Sequence, residues 1–199
     1  MQLSDLRTRV RYYLREATAN TWTDVELNAL INLAQRHVAF RLDTHFLTQL
    51  VQVSTLSFAS VNNADLPSTF LKTLADPYND STGDVYPLKP VQDAISTISE
   101  TYDSNSLFVN KRVSWITNND LYIRPTPGST ITLSFPYIKY PDDLAADANE
   151  SEIPDGVVDL VIIKAAADAL IKTRQLQDSS LLLKQLEQRI EMLNRSVEK

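Results

Sequence analysis

Few residues in this chain could carry acid–base or metal chemistry. It has no cysteine and two histidines, His37 and His45. Without a thiolate there is no disulfide framework, no sulfur-ligated metal and no cysteine nucleophile. Two histidines alone do not make a structural zinc site. His37 falls on an apolar row of its segment and reads as a core or interface residue, and His45 has no carboxylate at ligand spacing. No serine stands in a nucleophile-elbow context, and nothing singles out a carboxylate pair for glycoside hydrolysis. Gly83, Gly128 and Gly156 are the only glycines, so no phosphate-cradling loop can be built. The reading is a chain with no catalytic residue, no cofactor and no metal, and therefore not an enzyme.

Charge is placed more tellingly. Asp142–Asp155 carries six acids (Asp142, Asp143, Asp147, Glu150, Glu152 and Asp155) and no base. Outside it acids and bases balance at nineteen each, so the whole net charge of −6 resides in one segment. It lacks the glycine and the spacing of a calcium loop and reads as solvated charge. Arg7, Arg11 and Arg15 recur every four residues along one helical face. They would pair with acids of a neighbouring element, or contact nucleic acid or an acidic partner. No strongly basic surface is guaranteed, which argues against tight duplex binding. No apolar run without a charge is long enough to span a membrane, and MQLSDLRTRV is not a signal peptide. A soluble protein made in the cytoplasm is expected, with no membrane partner.

Helices must frame these residues. A first helix from Leu3 to about Ala17 buries Leu3, Leu6, Val10, Tyr13 or Leu14, and Ala17. After a break at Asn20-Thr21, Thr23 and Glu26 form a capping box that opens a second helix to Leu42. This helix has two apolar rows: Leu27, Ile31, Ala34, Val38 and Leu42, and beside them Leu30, Leu33, His37 and Phe40. So wide an apolar girth needs cover on more than one side. From Ile153-Pro154-Asp155, with Asp155 as N-cap, a helix over Val157–Lys172 is apolar nearly all round. Only Lys164, Asp168 and Lys172 line a wet edge. The last helix runs from about Ser179, with Leu183, Leu186, Ile190, Leu193 and Val197 on a heptad seam.

Between the helices, residues 44–141 carry strand signals. Leu47–Phe58 is one strand or two, Ser68–Phe70 a helical turn, Val85–Leu88 a short strand and Pro90–Ser99 a short helix. Residues 112–116 and 121–124 flank the hairpin turn Thr117-Asn118-Asn119-Asp120. Thr130–Lys139 follows as the third strand of a small meander, with Pro136 marking it as an edge or a bulge. The fold class expected is α+β, mainly α. Two N-terminal and two C-terminal helices (1–43 and 153–199) form a bundle, a small antiparallel β insertion occupies 44–141, and 142–152 is an acidic linker.

The order of these parts resembles the head-to-tail connector, or adaptor, proteins of tailed bacteriophages. Four stretches carry the resemblance. They are LSDLRTRVRYYLREA with WTDVELNALINLAQRHVAFRL; Ala64-Asp65-Leu66-Pro67-Ser68-Thr69-Phe70, where Ala64 replaces a usual aromatic; Leu121–Pro127 running on to the strand ending Tyr137–Pro141; and Glu152-Ile153-Pro154-Asp155 leading into the last two helices.

The resemblance implies a structural virion protein at the phage neck. Such adaptors form a ring, generally of twelve copies, that joins the portal to the tail or tail nozzle. The ring extends the channel for duplex DNA without binding it tightly. On that basis Leu30, Leu33, Phe40, Arg7, Arg11 and Arg15 are candidate subunit-interface residues. Ile190, Leu193, Arg195 and Val197 are candidates for docking on the portal protein, and Asp142, Asp143, Asp147, Glu150 and Glu152 for a channel or rim. The alternatives are a tail-side gatekeeper or nozzle-attachment protein, a virion-associated cell-wall hydrolase, and a helical regulator of host transcription. The hydrolase lacks a catalytic motif, and the regulator lacks a helix-turn-helix.

Overall fold

The computed structural model describes residues 1–16, 21–94 and 112–197. The chain divides into two compact units, one from Met1–Leu50 with Tyr140–Lys199 and the other Val51–Lys139.

The helical unit contains α1 (Leu3–Tyr13), α2 (Asp24–Arg41), a 3-10 segment (Thr44–Leu50), α3 (Asp159–Lys172) and α4 (Leu176–Val197). The capping box forms as expected: the Thr23 hydroxyl accepts from the Glu26 N–H, and the Glu26 carboxylate accepts from the Thr23 N–H. α3 is the central element. Leu160–Ile163, Ala165–Ala167, Ala169 and Leu170 are all buried, and α1, α2 and α4 each pack against it. Its alanines let three helices approach one axis closely. α3 begins at Asp159 with Val158 as N-cap, so Asp155 does not cap it. Residues 155–158 instead form turns, with the Val157 N–H donating to the Pro154 carbonyl at 2.9 Å. α4 starts a turn earlier than expected and buries Ser179, Leu186 and Ile190. The Asn20 break and the 95–99 part of the expected short helix lie outside the described residues.

The β unit overturns the expected mainly helical class. Among the described residues it holds six strands in two three-stranded antiparallel sheets, so the β part is not a small insertion in a helical bundle. The strands are β1 (Val51–Ala59), β2 (Asn63–Asp65), β3 (Phe70–Thr73), β4 (Val113–Thr117), β5 (Asp120–Arg124) and β6 (Thr130–Lys139). One sheet has the order β1-β6-β3 and the other β2-β5-β4. Between them lies a core of Leu56, Phe58, Leu66, Tyr86, Leu121, Ile123, Leu133, Phe135 and Tyr137, which no strand could bury alone. The β4–β5 hairpin turns through Asn118 and Asn119 at positive φ, as its residues predicted.

The expected β4-β5-β6 meander is not formed, because β6 crosses into the other sheet. Pro136 does not mark an edge either: β6 is the central strand, with Pro136 opposite Val53 of β1. Within an antiparallel strand the N–H and C=O of one residue point to the same neighbour. The Pro136 carbonyl accepts from the Leu74 N–H, just beyond the end of β3. The missing donor therefore falls where the ladder has run out. Ser68–Thr69 is a tight turn into β3 rather than a helical turn, closed by the Phe70 N–H on the Pro67 carbonyl at 2.9 Å. Val85 and Leu88 make isolated bridges, not a strand.

Candidate assembly surfaces

The outer face of α2 leaves apolar side chains uncovered. Leu27, Ile31, Ala34, Gln35, Val38 and Ala39 face the core. On the other side Leu33 is 58% and Phe40 63% exposed, and Leu30 is half-buried. Leu33 and Phe40 are seven residues apart, so they lie on one stripe about 10 Å long. His37 sits half-buried between them. Desolvation, helped by Lys164 and Arg41, lowers its pKa and favours the neutral ring.

The arginine row is spent largely inside the chain. Arg7 and Arg11 side chains are each only 12% exposed. Arg7 reaches Asp147 at 2.8 Å and Asn28 at 3.2 Å. Arg11 holds Glu16 at 2.9 Å, Asp24 at 2.8 Å and the Trp22 carbonyl at 2.9 Å. These bonds tie α1 to the start of α2 and lower the Asp24 pKa, chiefly through Arg11. Arg15, at φ +54° after the helix end, is the exposed member of the row.

The acidic segment is strapped to the helices rather than free. The Asn149 and Asp147 carbonyls accept from the Leu3 and Ser4 N–H groups at 2.9 and 3.3 Å. They satisfy the start of α1, where Gln2 supplies no side-chain cap. Arg36 holds both oxygens of Asp143 at 3.0 Å. Asn32 brackets Leu144, accepting from its N–H at 3.0 Å and donating to its carbonyl at 3.3 Å. The side-chain amide oxygen of the buried Gln35 accepts from the Ser151 hydroxyl at 2.6 Å. Asp142, Asp143, Asp147 and Glu150 remain on the surface, and Glu152 is half-buried, accepting from the Asp142 N–H at 2.8 Å.

At the far end of α4, Ile190 is 2% exposed and belongs to the chain's own core, so it offers a partner no surface. Leu193 is half-buried and lines a concavity of about 390 Å³ with Val157, Leu160 and Met192. Arg195 is exposed and paired with Glu191 one turn earlier, and Val197 is exposed. The residue here that sequence reasoning missed is Asn194. Its amide donates to the Arg41 carbonyl at 3.0 Å, and its oxygen accepts from the Asp43 N–H at 2.9 Å, closing the end of α2. Asn32 and Gln35 were missed too, although amides set between the apolar positions of α2 are a signal of buried bracketing.

No group of three or more potential metal ligands converges among the described residues, and no described helix is long and apolar enough to cross a membrane. What the unit displays instead is apolar contact surface and bracketed helix ends, the equipment of a protein that acts by assembling. The family comparison agrees: residues 1–198 match the model of the SU10 adaptor protein, and the chain belongs to that family. It is thus a phage structural adaptor. No curated protein matches the chain.

Proposed function

We propose that the protein forms a ring at the phage neck, joining the portal vertex to the tail and extending the DNA channel. The observation that carries this is the α2 stripe, with Leu33 and Phe40 exposed in a chain of an adaptor family. A neighbour that covers two apolar side chains on a surface helix removes their area from water and is favoured by that burial. In the ring, the stripe of Leu30, Leu33 and Phe40 lies against the next subunit by a head-to-tail contact that closes, with Arg15 at its margin. Arg7 and Arg11 support that contact indirectly by fixing α1 against α2. Leu193, Arg195 and Val197 meet the portal protein, with Ile190 anchoring the helix beneath them. Asp142, Asp143, Asp147, Glu150 and Glu152 face the channel or its rim, where acidic charge repels phosphate and lets duplex DNA slide. Twelve copies, contacts with tail or nozzle proteins and a place in the virion neck complete the reading.

Electron microscopy of the chain mixed with portal tests it. Wild type is expected to give rings seated on portal, and F40E with L33E to give none while keeping its helical circular dichroism. A chain that stays monomeric with portal, and shows no density at the virion neck, overturns the proposal.

A further inference from the structure

His37 is the titratable member of the α2 stripe. It lies four residues after Leu33 and three before Phe40, so the helix sets all three in one row. Leu33 and Phe40 are exposed, and His37 between them is half-buried. A surface that covers a leucine and a phenylalanine about 10 Å apart also covers what stands between them.

The charges around His37 come from three helices. Lys164 and Asp168 of α3 act on it and are bound to each other at 2.5 Å. Arg41, on the same helix, is held by Glu187 of α4, and both act on it too. On the other flank of α2, Arg36 holds Asp143, and Arg7 and Arg11 of α1 reach Asn28 and Asp24 near its start. Asp168 and Glu187, the carboxylates that act on His37, are thus already bound to cations of the chain. Desolvation, then Lys164 and Arg41, hold the His37 pKa below 6.5 in the single chain. A neutral imidazole, with one donor and one acceptor nitrogen and no charge, fits beneath an apolar cover. An imidazolium there loses its water and gains no counter-charge from its own chain, which is the costly case.

We propose that His37 makes the α2 contact acid-labile: subunits join through α2 while the imidazole is neutral and separate when it takes up a proton. The contact is the one that the neck-ring proposal places on α2, and its acid lability rests on that reading. Cover by a neighbour deepens the desolvation, so His37 holds a proton more weakly in the ring than in the single chain. The contact is therefore at full strength above the single-chain pKa, itself below 6.5. It weakens as pH falls further, by up to about tenfold per pH unit. Each contact around a closed ring carries one imidazole, so the losses multiply.

Rings of the chain mixed with portal, counted by electron microscopy at two pH values, test this. One is about 7.5 and the other the lowest, down to about 5, at which helical ellipticity is unchanged, so that subunits stay folded. Wild type is expected to lose its rings about tenfold or more at the lower pH and to regain them on return. His37→Gln and His37→Asn take up no proton there. Each compared with itself at the two pH values, they are expected to change less than about twofold. His45 is the other histidine of the chain, and His45→Gln is expected to keep the wild-type loss. If rings form and both His37 variants lose them in acid as wild type does, the proposal is overturned while the ring stands. Wild-type rings that hold or tighten in acid overturn it too, the second by showing a partner carboxylate over His37. If wild type forms no ring at either pH, the ring reading fails and acid lability falls with it.

Discussion

Both the helical unit and the β unit rest on buried apolar cores, but the helical unit adds polar links between its helix ends that the sheets do without. Helix ends in the first are joined across long stretches of chain by charge and amide brackets: Arg7 to Asp147, Arg36 to Asp143, Arg41 to Glu187, Lys172 to Glu26, and Asn194 around the end of α2. The second rests on an apolar and aromatic sandwich. Phe135 stacks on Tyr137 with ring centroids 6.0 Å apart, and Phe70 leans on both. Helices can be oriented by a few directional contacts at their ends, because each satisfies its own backbone. Strands cannot, so the sheets depend on filling the space between them. The helical unit should thus respond to pH and to loss of single polar groups, and the β unit to loss of volume.

The largest effect should come from that volume. Phe135→Ala empties the middle of the sandwich and is expected to cost about 3–5 kcal/mol. Near-ultraviolet circular dichroism should lose the β-unit aromatic signal at a lower temperature while helical ellipticity persists. Simultaneous loss of both signals would show one cooperative body and erase the contrast. Next is Gln35→Leu, which keeps bulk but leaves the Ser151 hydroxyl without its acceptor and takes away one of the two donors to the Asn32 oxygen. A cost of about 1–3 kcal/mol is expected, and hydrogen exchange should rise in residues 143–153 first. An unchanged midpoint there would deny the amide bracket its role. Smaller again, Asn194→Ala removes both contacts at the end of α2 and should cost about 1 kcal/mol, read by urea unfolding. A shift as large as that of Phe135→Ala would reverse the contrast.

The same contrast explains what could be read from sequence. Helices carry their information locally. The Thr23–Glu26 box, the all-round apolar α3 and the seam through Leu186 and Ile190 were legible because helix period and caps need only nearby residues. The Asn118-Asn119 hairpin was legible for the same reason. Sheet membership is not local: nothing in ITLSFPYIK says that it lies between β1 and β3 instead of beside β5, and Pro136 pointed the wrong way because the end of β3 was invisible. Counting one meander where there are two sheets made the β part look small and the class mainly α. Of the candidate surfaces, the excess girth of α2 was legible, but the commitment of Arg7 and Arg11 to internal acids was not. A basic stripe looks the same whether its partners are internal or external.

The smallest effect sharpens the contrast most, because it belongs to the helical unit alone. Glu26 accepts from Lys172 at 2.5 Å and from Thr23, and these bonds, Lys172 first, lower its pKa from 4.5 to about 2. A carboxyl whose folded pKa is depressed stabilises fully above its unfolded pKa. It loses that stabilisation as pH falls from about 4.5 towards 2, where the folded group at last protonates. Asp24, lowered by Arg11, adds in the same direction. His37 acts in a separate window. Its folded pKa lies below 6.5, so from pH 6.5 downward the unfolded chain takes up a proton that the folded chain resists, and stability declines there too. Acid should therefore loosen the helical unit in two steps. Glu26→Gln should flatten the lower step and leave the upper, while His37→Gln should do the reverse. Both are measurable as helical ellipticity against pH at fixed urea. If Glu26→Gln unfolds in acid along the wild-type curve, the Lys172–Glu26 link does not hold α3 to the start of α2.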